Sequence, residues 1–73
     1  MKRAIVVGNF SAVSTQQISG NKCYQLAYNK CLIGNVDSKY YNIELDYEVA
    51  QIPINELPDL IQLINECKKE LEK

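Results

Sequence analysis

PINELPDLIQLINECKKELEK, residues 53–73, is the stretch whose reading decides the fold. Apolar residues recur at Leu57, Leu60, Ile61, Ile64, Cys67 and Leu71. Gaps of three and four place them on one stripe of a 3.6-residue helix. Asp59, Gln62, Glu66, Lys69 and Glu70 fall on the opposite side, toward water. Asn55 is the expected N-cap, because its side-chain oxygen can accept from amides that the first turn leaves unpaired. Pro58 fits a helix only near its start, where no N–H is needed. Acids near the start (Glu56, Asp59) and lysines near the end (Lys68, Lys69, Lys73) complement the helix dipole. These signals predict one helix over about 56–72. Leu63 lies off the stripe, where it either widens the apolar face or touches another subunit.

An amphipathic helix needs a second layer to cover its apolar face, and the upstream residues supply strands. Tyr41, Ile43, Leu45, Tyr47 and Val49 alternate with Asn42, Glu44, Asp46, Glu48 and Ala50. That is the period of a half-buried antiparallel strand, expected over 40–52 and ended by Pro53. Ala4-Ile5-Val6-Val7 is apolar at every position, which predicts a central strand buried on both faces, within a strand over 3–13. Gly8 inside it fits a bulge or a close backbone approach. Residues 14–21 are rich in Ser, Thr, Gln, Asn and Gly and read as a loop.

Residues 22–36 fit either one strand or a hairpin. The hairpin, with strands over 22–28 and 31–36, keeps one apolar face through both arms. It turns at Asn29-Lys30, puts Tyr28 opposite Cys31 and Leu26 opposite Ile33, and uses the tolerance of Asn for positive φ. The expected architecture is α+β: a four-stranded antiparallel β-meander followed by one C-terminal amphipathic helix packed on the sheet, as a single domain over 1–73.

A chain of 73 residues builds only a marginal core. Such domains gain support from disulfides, a metal or oligomerisation. Three cysteines without a CxxC pair, and no histidine, speak against the first two and predict neither a metal site nor a cofactor. Oligomerisation remains, so a homodimer is expected. The apolar run at residues 4–7 is too short for a signal peptide, and no stretch reaches the roughly 20 apolar residues of a membrane span, so the expected setting is cytoplasmic. Charge is uneven: residues 1–41 hold five cations against Asp37 alone, and residues 42–73 hold three lysines against eight acids. Such asymmetry is a feature of partner recognition rather than of fold.

No constellation points to catalysis. Ser11, Ser14, Thr15 and Ser19 have no histidine to serve as base, and no glycine-rich phosphate loop or dinucleotide fingerprint is present. Glu44, Asp46 and Glu48 form an acidic row about 6.6–6.8 Å apart along one strand face, either solvated or a docking strip for a basic partner. Tyr40 and Tyr41 stand beside it as anchors, since tyrosine combines an apolar ring with a polar tip. The leading expectation is a non-enzymatic binding module, homodimeric, acting on a protein partner in the manner of a small regulator or inhibitor such as a bacterial or phage accessory protein. A second reading, from a different class, is a single-stranded nucleic-acid binder that stacks bases on Tyr24 and Tyr28 and tracks the backbone with Lys22, Lys30 and Lys39. A third is a small-ligand binder with its pocket at the dimer seam.

Overall fold

The computed structural model describes residues 3–16, 20–43 and 52–72. It has the expected α+β architecture: an antiparallel meander with one C-terminal helix packed on it. Five strands follow in order across one sheet: β1 (Ala4–Val7), β2 (Phe10–Gln16), β3 (Lys22–Tyr28), β4 (Cys31–Val36) and β5 (Tyr41–Ile43). A 3-10 turn at Ile54–Glu56 leads into helix α1 (Leu57–Leu71).

The fifth strand arises because 3–13 is two strands joined by a tight turn at Gly8-Asn9. Gly8 has φ +59°, while Asn9 is not positive, the pattern of a two-residue hairpin turn with glycine first. Glycine adopts that conformation without steric cost. β2 then runs on to Gln16 through residues that composition alone assigned to a loop. The β3–β4 hairpin does turn at Asn29-Lys30, with φ +48° and +69°, and Tyr28 pairs Cys31 as expected. Leu26, however, pairs Gly34 rather than Ile33. The register shifts between Leu26 and Ala27, so Ile33 is an extra residue on β4. The bulge turns both Ile33 and Val36 into the core, at 1% and 3% exposure, which strict alternation cannot do. Gly34 is required where β5 approaches. A Cβ there would lie 1.9 Å from the backbone oxygen of Asn42.

The expected two-sided burial of β1 does not hold. It is an edge strand, and Val6 is 69% exposed. Of the expected strand over 40–52, β5 is the part within the described residues; residues 44–51 lie outside them.

The core joins Phe10, Ala12, Tyr24, Leu26, Tyr28, Ile33 and Val36 of the sheet to Leu60, Leu63 and Cys67 of α1. The Phe10 and Tyr28 rings meet at 4.8 Å between centroids, tilted by 44°. The helix begins without the expected Asn55 cap: Glu56 stands at its N-cap position with no side-chain capping bond. The 3-10 turn carries the entry instead, through Glu56 N–H to the Pro53 carbonyl at 2.9 Å. Pro58 lies in the first turn, as it must. The buried line is Leu60–Leu63–Cys67, so Leu63 is fully enclosed and belongs to the core rather than lying off it. Leu57 and Ile61 are left 46% and 51% exposed. Among the described residues no helix is long and apolar enough to cross a membrane.

Candidate functional site

The rotation of α1 decides where unpartnered apolar surface lies. The helix packs chiefly on β1 and β2, at one side of the sheet. Toward β5 its flank and the sheet diverge, leaving an apolar cleft of ≈ 420 Å³ walled by Tyr41 and Ile43 on β5 and by Leu57, Ile61 and Ile64 on α1. β5 is an edge strand, with β4 on one side and no described strand on the other. Among the described residues no strand pairs with its outer edge, which lies beside the apolar cleft.

The end of the cleft near the helix start is held by a polar cluster. Glu56 accepts from Asn9 Nδ2 at 2.5 Å and from the Tyr28 hydroxyl. Asn29 N–H donates to the Asn9 carbonyl at 2.9 Å. One carboxylate thus ties the start of α1 to both hairpin turns. The hydrogen bond to Glu56, then burial, then the carboxylate charge hold the Tyr28 hydroxyl above its ordinary pKa. At the other end of the helix, Arg3 pairs with Glu70. Beside that pair Ser14, Gln16, Lys22 and Tyr24 line a second, more polar cleft of ≈ 490 Å³.

Tyr40 and Tyr41 are 69% and 64% exposed, and Tyr41 lines the apolar cleft. The turn before them is fixed by Asp37, whose carboxylate accepts from the N–H groups of Lys39 and Tyr40 at 2.7 Å each. Glu44, Asp46 and Glu48 lie outside the described residues. The nucleic-acid surface does not assemble as expected. Tyr24 and Tyr28 are 4% and 9% exposed beneath the helix, so neither presents a ring face to a base. Lys22 opens β3 whereas Lys30 lies in the turn beyond its far end, and Lys39 sits in the β4–β5 turn. Alternation alone could not reveal this, since it does not say which sheet face the helix covers. What sequence reasoning missed was the role of Leu57 and Ile61, which were assigned to the core stripe. Seven apolar residues on a helix of 15, with Leu63 off the stripe of the other six, was the available sign of a surplus.

Among the described residues no group of three or more His, Cys, Asp or Glu is placed to hold a metal ion. Cys67 is fully enclosed, and burial, with a smaller contribution from Glu66, pushes its thiol from 9.0 up to about 11. Cys23 is buried and Cys31 exposed. No protein-family model matches the chain, and no curated protein or solved structure matches it either.

Proposed function

We propose that this chain is a non-enzymatic protein-binding module of the regulator type, working as a homodimer, and that it takes an extended apolar segment of its partner into the cleft between β5 and α1. The observation that supports the reading is an apolar cleft lying directly against a strand edge that no other described strand pairs. A segment added to β5 gains backbone hydrogen bonds from the edge, and every second side chain of that segment turns toward Leu57, Ile61 and Ile64. Tyr41 is the aromatic wall, and Tyr40 stands at the rim. Glu44, Asp46 and Glu48 follow β5 in the chain and would favour a partner with basic residues beside its apolar ones.

Selection from a displayed random-peptide library tests this without a known partner. The wild-type chain is expected to enrich peptides with apolar residues at alternate positions, and Ile61→Asp to weaken their binding about tenfold or more. Ile61 is half-exposed, so the change leaves the core in place. Failure to enrich any such pattern, or enrichment indifferent to Ile61→Asp, overturns the proposal.

A further inference from the structure

The register assigns each strand residue to a face. On the face away from the helix lie Ala4 and Val6 of β1, Ser11, Val13 and Thr15 of β2, and Gln25 and Ala27 of β3, together with Cys23, which is already buried in the single chain. Leu32 and Asn35 of β4 and Asn42 of β5 complete it. None is charged, although the described residues include twelve Lys, Arg, Asp and Glu. Those charges sit in turns, on the helix, or at the sheet ends on the helix side. One cross-strand row, Val6–Ser11–Ala27–Leu32, runs through four strands with an apolar residue at each end, and Val13 lies beside it. Val6, Val13 and Leu32 are 69%, 38% and 62% exposed, and no described element covers them. A sheet face that meets water ordinarily carries alternating polar and charged residues.

We infer that this open sheet face is the homodimer interface, and that a second copy of the chain packs against it sheet to sheet. This deepens the homodimer part of the reading above and is separate from the cleft. Three observations carry it. The Ala4–Val7 run has the pattern of a strand buried on both faces, yet the single chain covers only one. A twofold interface presents the same patch from both sides, so any charge would face a nearby copy of itself, and this patch has none. The area also suffices. The strands total 27 residues, and strand spacings of about 4.8 Å with a rise of about 3.3 Å give roughly 430 Å² of flat face per copy. With side-chain relief, two copies bury on the order of 1,000 Å², the lower bound for a specific interface. The expected affinity is therefore micromolar rather than nanomolar.

Sedimentation equilibrium from about 5 to about 500 μM tests it, a range that brackets micromolar association. The wild-type chain is expected to pass from monomer to twice that mass. Val13→Glu and Leu32→Glu each place an uncompensated charge in the interface, twice per dimer, and are expected to weaken association about a hundredfold or more. Ile61→Glu, in the cleft on the other side, is expected to dimerise normally. Concentration-dependent amide shifts in the wild-type chain, confined to residues on the uncharged face, check the interface without relying on any variant's fold. A wild-type chain that stays monomeric throughout overturns the inference. So does a dimer that survives both glutamate changes, or one broken by Ile61→Glu alone. A monomeric Leu32→Glu chain that still binds selected peptides separates this interface from the cleft. If the wild-type chain dimerises as stated but selects no peptide, the binding-module reading fails alone.

Discussion

On the helix-covered face of the sheet, Phe10, Ala12 and Leu26 have no exposed surface, whereas one residue along the same strands Val13 and Ala27 point away from the helix. Both faces carry apolar residues, mixed on the open one with uncharged polar residues such as Ser11, Gln25 and Asn35. Among the described elements, α1 covers only one of them. The helix shows the same division, with Leu63 enclosed and Ile61 half-exposed two residues earlier. Apolar character along this chain therefore serves two ends. Where a second layer covers it, it stabilises the fold; where nothing described covers it, it is available for association.

Substitutions that separate these two uses break or sharpen the comparison. The largest effect is expected at the covered face. Leu63→Ala removes a fully enclosed side chain at the sheet–helix contact and should cost about 2–5 kcal/mol in denaturant unfolding, a large share of the stability of so small a domain. A loss under about 1 kcal/mol would mean that the helix does not close the core. Next comes the bulged side of the sheet. Gly34→Ala forces a methyl group against the Asn42 carbonyl and should cost roughly 1–3 kcal/mol. Amide exchange at Asn42 and Ile43 should then quicken more than exchange in β2. Leu32→Ala, on the open face, should change the stability of a dilute sample by no more than about 0.5 kcal/mol. At high protein concentration it should cost visibly more, because dimerisation stabilises the wild-type chain by mass action.

One further effect is alkaline and belongs to the covered side alone. Cys67 is held at about 11 against an ordinary 9.0, and Tyr28 above its ordinary 10.0, so the folded chain keeps both protons longer than the unfolded one. Stability is then complete below pH 9 and falls as the pH rises; the Cys67 share of the fall ends near pH 11, and the Tyr28 share begins near pH 10. Cys67→Ala should lower the midpoint of thermal unfolding overall yet flatten its decline between pH 9 and 11. An unchanged slope would assign the decline to Tyr28.

Much of the fold was legible because its signals are local. The Asn29-Lys30 hairpin follows from a residue tolerant of positive φ between two apolar arms, and the structure turns there. The helix lies within a residue or two of its expected bounds because periodicity and Pro58 both mark it. The β1–β2 hairpin was less legible: Gly8 fits a bulge and a turn equally well, and the difference rests on whether the chain doubles back onto β3. Of the site residues, Tyr40 and Tyr41 are exposed, while Tyr24 and Tyr28 are in the core. Nothing in a strand's alternation distinguishes a ring under a helix from a ring in water.

Sequence by itself determined an antiparallel meander followed by a C-terminal helix, the β3–β4 turn, and the amphipathic character of α1. Each depends on backbone sterics and periodicity within a few residues. The tertiary structure alone decided the Ile33 bulge, the edge position of β1, the rotation of α1 about its axis, and hence which apolar residues were left over. Those choices settle a competition among apolar surfaces far apart in the chain for one limited core. Leu63 won that contest, and Val6, Leu32, Leu57 and Ile61 were left at the surface.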